Sequence, residues 1–141
     1  MSAGAPADDA PHLPATELLE SMGFVRIVSR DRETGVVRAE FDALPRFCHT
    51  NGTIVQGGFV TAWLDFAMAQ AAMSRVGHEL WIASLELKVS FLRRAGPGRV
   101  VAEGRIQRLG RSVAFLEGTL FDAAGVALAT ATSTAMLTTA R

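Results

Sequence analysis

Cysteine is nearly absent from this chain: Cys48 is the one thiol in 141 residues. No disulfide can form within the chain, and a reducing, cytoplasmic setting is expected. Net charge is absent as well. Fourteen basic and fourteen acidic side chains cancel, which leaves no basic excess of the kind nucleic acid requires. Metal-ligand spacing is missing: Cys48, His49 and His78 do not stand at zinc-site intervals, so no metal is expected. The first residues lack the basic start and apolar run of a secretory signal, and none is expected. Apolar residues, in contrast, make up 49% of the sequence. Length and composition together suggest one ordinary globular domain, large enough for a real core.

The most unusual stretch runs from Gln56 to Met73. Gly57 and Gly58 open it, and it then stays apolar almost all the way round a helix. Such a helix belongs inside a larger core. It carries one charge, Asp65, and a carboxylate there is costly unless something is bonded to it. Paired glycines allow close backbone approach at the helix start, where the first N–H groups have no partner within the helix. The segment therefore combines an oxygen-binding helix end with a carboxylate two turns on. Asp65, Gln70 and many alanines make it a poor membrane span, and no membrane partner is expected.

Around that helix the periodicities are clear. Residues 1–15 are Ala, Pro and Asp without a period and read as a mobile tail, with the folded domain over 16–141. Thr16 is expected to N-cap a short helix through Met22, ended by Gly23. Phe24–Ser29 and Val36–Phe41 read as a hairpin about the polar turn from Arg30 to Gly35. The segment 42–55 shows no period and reads as a loop. The long helix should run from about Gly58 to Val76, roughly 28 Å. Four long strands follow. In the first, Leu85, Leu87, Val89 and Phe91 alternate with Ser84, Glu86, Lys88 and Ser90. The next two centre on residues 100–107 and 112–122, and the last covers 126–137, after the turn Asp122-Ala123-Ala124-Gly125. The fold class expected is α+β: an antiparallel sheet of about six strands, wetted on one face, wrapped around one central helix.

This order, with Gly57-Gly58 followed by Asp65, the strand from Ser84 to Arg93, Gly98, the Gly110-Arg111 turn and Gly125, resembles the hot-dog fold. In particular it is similar to the PaaI-like acyl-CoA thioesterases, over roughly residues 16–138. Three departures stand out. Most members have His where this chain has Gln56. Their Asn usually lies six residues before that position, whereas Asn51 lies five before it. Their Arg-Pro-Ala is replaced by Arg93-Arg94-Ala95.

The resemblance implies hydrolysis of an acyl-CoA thioester, with coenzyme A as part of the substrate and no further cofactor. It implies Gly57 N–H as the oxyanion donor, Gln56 as its helper, Asp65 as base or nucleophile, and Ser84 as a hydroxyl positioning the water or Asp65. Asn51 and Gly58 would lie along the substrate, and Arg93, Arg94 and Arg111, with Arg108, would meet the phosphates, since guanidinium suits phosphate. Any single one of these basic side chains reads first as a solvated turn charge, and Ser84 could equally cap its own backbone. Cys48 and His49 are adjacent and should point apart, so they are not read as a catalytic pair. His78 could meet the helix dipole. Trp63, Met68 and Met73 read as core or dimer contacts first and acyl-pocket lining second. Gly57 and Asp65 lie about 12 Å apart along one helix, too far for one carbonyl to touch both. A homodimer with shared sites is therefore expected, alone or as a dimer of dimers. Two other functions remain: an acyl-CoA-binding relative without turnover, favoured by Gln56, and a hot-dog hydratase or dehydratase, disfavoured because no His is well placed near Asp65.

Overall fold

A computed structural model of the protein describes residues 15–139, apart from the side chain of His78. The expected tail thus lies outside the described residues except for Ala15, and so does the contact expected of the His78 ring. The elements are α1 (Thr16–Ser21), β1 (Phe24–Asp31), β2 (Val36–Ala43), β3 (Cys48–His49), β4 (Ile54–Val55), α2 (Gly57–Val76), β5 (Leu80–Phe91), β6 (Gly98–Leu109), β7 (Val113–Asp122) and β8 (Ala127–Thr139). Six strands form one sheet in the order β1-β2-β6-β7-β8-β5, and every neighbouring pair is antiparallel. Among the described residues β5 pairs only with β8 and is an edge.

The sheet holds α2 against its inner face, as the apolar pattern requires. Trp63, Leu64, Ala67, Met68, Ala71 and Ala72 have no exposed surface. Rings from three segments close one end of the core: Phe41 stacks on Trp63 with centroids 5.7 Å apart, and Phe47 stacks on Phe59 at 4.2 Å. The Trp63 indole N–H donates to the Met22 carbonyl at 2.7 Å, which satisfies its buried polar atom and ties α2 to the end of α1. Gly104 on β6 sits under the helix. A Cβ there would fall inside the Ala67 carbonyl, so only glycine lets helix and sheet meet this closely. The far end of α2 is held by Arg75, which donates to the carbonyls of Arg32 and Glu33 in the β1–β2 turn. In the same turn the N–H groups of Thr34 and Glu33 donate to Asp31, and this bonding, Thr34 foremost, holds its carboxyl below the usual range. Among the described residues no helix is long and apolar enough to cross a membrane.

Three expectations need correction. Thr16 is not the cap of α1: Ala15 holds that position, extended at φ −58° and ψ 147°, and Thr16 is already helical. The loop between β2 and α2 is not featureless. It contains a 3-10 turn, Pro45–Phe47, and the two-residue strands β3 and β4, too short to show a period. Finally, β5 does not keep its alternation. A bulge between Ser84 and Glu86 leaves Leu85 unpaired, so two successive residues break step. Ser84 then lies opposite Ala135, as Leu87 lies opposite Ser133. Both partners are buried. Ser84 therefore shares the helix-facing side with Leu87 and Val89 instead of joining Glu86 and Lys88, and Leu85 is 56% exposed.

Candidate active site

The start of α2 is built by Gln56. Its backbone is extended (φ −63°, ψ 134°) and its side-chain Oε1 accepts the Gly58 N–H at 2.6 Å. Its main-chain carbonyl accepts from Phe59 N–H at 3.0 Å. Two of the first helical donors are thus occupied. Among the described residues the Gly57 N–H has no acceptor, and it stands where the helix dipole favours negative charge. Gly57 is part-buried and faces the ring of Phe91; a Cβ on it would lie 3.2 Å from Phe91 Cζ.

Gly57 opens into a pocket of about 380 Å³. Val55, Val60, Leu128 and Ala129 give it an apolar floor, and His49, Arg93 and Arg94 give it a cationic rim. Asp65 lies two turns further along α2 and is part-buried. Its Oδ1 accepts the Ser84 hydroxyl at 2.8 Å, a contact that the β5 bulge makes possible.

The structure therefore brings together two pairs within one chain: Gly57 with Arg93 and Arg94 around the pocket, and Asp65 with Ser84. The two pairs are not adjacent. Asp65 and Ser84 are not among the pocket's lining residues, and eight residues of helix separate Gly57 from Asp65, about 12 Å. Asn51 is exposed at the tip of the β3–β4 turn with φ +57° and does not line the pocket; Gly58 is exposed with its amide already bonded. Arg111 lies in the β6–β7 turn. Ser112 beside it accepts from Leu137 N–H, so Arg111 sits at the end where β5 begins, opposite Arg93 and Arg94.

Sequence reasoning passed over His49 and Phe91, which both line the pocket. The hairpin that presents His49 has strands of two residues and leaves no pattern to read. Phe91 did leave a signal, as the last apolar residue of the alternation before Arg93-Arg94. Cys48 bonds weakly back to the Leu44 carbonyl, Sγ to O 3.5 Å, and forms no pair with His49. Among the described residues no group of three or more His, Cys, Asp or Glu could hold a metal.

Comparison with known proteins agrees with this architecture. The sequence profile of the Thioesterase superfamily matches residues 52–129, more than half of the chain, and the protein belongs to that superfamily. The phenylacetic acid degradation-related protein of Ralstonia eutropha JMP134, named as a candidate thioesterase, is 31% identical, with a TM-score of 0.81 over 91% of this chain and 96% of the other. The PaaI protein of the E. coli phenylacetic acid degradation operon is 16% identical and superimposes with a TM-score of 0.81 over 96% and 94%. A Streptococcus mutans UA159 protein, solved bound to acetyl CoA, is 19% identical with a TM-score of 0.73 over 84% and 90%. The sheet wrapped on one helix is thus the hot-dog fold, of the PaaI-like type. No curated protein matches the chain.

Proposed function

We propose that this protein hydrolyses an acyl-CoA thioester to a carboxylic acid and free coenzyme A. The observation that carries the reading is the Ser84 hydroxyl on Asp65 Oδ1, because it fixes the one carboxylate of an apolar helix and leaves its other oxygen for chemistry. The unengaged Gly57 N–H supports it as the donor for the carbonyl oxygen, aimed where negative charge develops. The acetyl CoA held by the Streptococcus mutans relative supports the substrate class.

In this reading the thioester oxygen accepts from Gly57 N–H. Asp65 takes a proton from water, the water oxygen attacks the carbonyl carbon, the C–S bond breaks, and the sulfur leaves as thiolate and is protonated. Alternatively the Asp65 carboxylate attacks, coenzyme A leaves, and water cleaves the resulting anhydride. A single turnover in oxygen-18 water tests for the anhydride: label in the Asp65 carboxylate with an unlabelled product acid marks attack of water on the Asp65 carbon of an anhydride, a result the first route cannot give.

The same reading requires two chains per site. Gly57 packs on Phe91 and Asp65 bonds Ser84, both on the free edge strand β5. Two β5 edges paired antiparallel about a point between these residues would exchange them, setting Gly57 of one chain beside Asp65 of the other. Arg111 would then approach Arg93 and Arg94 across the axis, and the three would hold the phosphates of coenzyme A. A homodimer suffices, and a dimer of dimers keeps the same sites.

One observation favours a second reading, an acyl-CoA-binding protein without turnover: the Gln56 amide oxygen is committed to capping α2. Free-thiol release from a panel of acyl-CoAs decides between them. Release by the wild type that is lost in Asp65→Asn supports the hydrolase. Saturable binding with no release by the wild type sinks it.

A further inference from the structure

Phe91 ends β5 with its ring against Gly57. A Cβ at Gly57 would stand 3.2 Å from its Cζ and 3.4 Å from its Cε1, so the ring fills the space where any other residue would carry a side chain. Phe91 is nevertheless 57% exposed in the single chain, and it borders the 380 Å³ pocket together with Val60, Leu128 and Ala129. An aromatic residue this open, with its ring pressed on the glycine whose N–H has no acceptor among the described residues, is placed to meet whatever binds that N–H. The geometry limits what that is. A carbonyl oxygen bonded to Gly57 N–H lies about 2.9 Å from the nitrogen. The ring edge is packed on the same glycine, so the ring is a neighbour of the groups attached to that carbonyl.

We propose that Phe91 is a specificity-determining residue: its ring limits the bulk allowed on the acyl carbon next to the thioester carbonyl, so straight acyl groups are accepted and acyl groups branched at that carbon are rejected. This rests on one part of the thioesterase reading, the acyl-CoA carbonyl held on the Gly57 amide, and not on turnover. Gly57 and Phe91 act as one unit, because the missing Cβ is what lets the ring come forward to the donor. Substitution by a smaller residue opens the pocket beside the amide without touching Gly57, Asp65 or Ser84.

The test uses two isomeric, non-hydrolysable ketone analogues of coenzyme A, R–CO–CH2–S–CoA, with R either n-butyl or tert-butyl. They carry the same apolar atoms and differ only in branching beside the carbonyl. Calorimetric Kd values are measured for wild type, Phe91→Leu and Phe91→Ala. The wild type should bind the straight isomer at least about tenfold more tightly, and Phe91→Ala should narrow that ratio by about tenfold, the scale of one or two methyl groups in a shaped apolar pocket. Phe91→Leu should fall between. A ratio unchanged in Phe91→Ala overturns the proposal, as does a wild type that does not discriminate. Equal loss of both ligands in both variants also overturns it, because the ring would then be a support and not a filter. Binding is read without turnover, so a wild type that discriminates yet releases no thiol removes the hydrolase reading and leaves this one standing.

Discussion

The Ser84 hydroxyl donates to Oδ1 of Asp65 at 2.8 Å, joining residues nineteen positions apart. This bond ties the edge strand to the central helix at the one charge the helix carries from Gly57 to Met73. If Asp65 is the base or nucleophile, Asp65→Asn keeps its shape and can still accept from Ser84, but loses the chemistry. Thiol release should fall by about 10²-fold or more with the circular dichroism spectrum unchanged. Near wild-type turnover in a folded Asp65→Asn protein ends the assignment of Asp65.

Ser84→Ala removes the positioning bond and leaves the carboxylate. Turnover should drop by about tenfold, less than for Asp65→Asn. The double variant should be no slower than Asp65→Asn alone, since the hydroxyl acts through the carboxylate. Additive losses would show that Ser84 works independently.

Gly57→Pro isolates the proposed donor. Proline fits the first helical position, where its missing N–H costs the helix nothing, and Gln56 already has the extended backbone that a following proline demands. The Phe91 ring must shift by a few tenths of an ångström to clear the new Cβ. Turnover should fall by about 10²–10³-fold, the scale for one oxyanion donor, with little change in melting temperature. Retained turnover would move the oxyanion site elsewhere.

Mixing variants tests the shared site. Asp65→Asn and Gly57→Pro chains, each deficient alone, are combined and allowed to exchange. In a two-fold dimer about half the dimers are mixed, and each mixed dimer has one site with both defects and one with neither. Activity should return to about a quarter of wild type. With full exchange shown by mass spectrometry, no recovery would confine each site to a single chain.

Gly104→Ala tests the packing that carries the site. The added methyl meets the Ala67 carbonyl, which is backbone and cannot rotate aside. Overpacking of this kind costs about 1–3 kcal/mol, so the melting temperature should fall by about 10 °C or folded protein should be lost. An unchanged melting curve would mean that α2 does not rest on Gly104.

The parts of this fold that repeat a period over many residues could be read from sequence: the apolar helix ending at Gly77, the β1–β2 hairpin, the four long strands and the turn at Gly125. Asp65 stood out because one charge interrupts an apolar run. The bulge at Leu85 could not be read, because the residues on either side of it continue an unbroken alternation, and the extra residue is visible only against β8. That bulge decides which face Ser84 occupies. The β3–β4 hairpin was hidden for a different reason: its left-handed positions, Thr50 and Asn51 (φ +55° and +57°), are not glycine, and two-residue strands carry no period. His49 was passed over with it.

The strand order also sets a schedule for synthesis. β5 follows α2 in the chain, but its only neighbour in the sheet is β8, and Ala135, the partner of Ser84, emerges about fifty positions after it. At the usual ~5–20 residues per second that is a wait of roughly 3–10 s. Throughout it β5 has both edges unpaired, with the large apolar residues Trp81, Leu85 and Phe91 along its length, a segment suited to chaperone capture. A nascent chain that has not reached β8 holds Gln56, Gly57, Asp65 and Ser84, but it has nothing yet to hold Ser84 against the carboxylate.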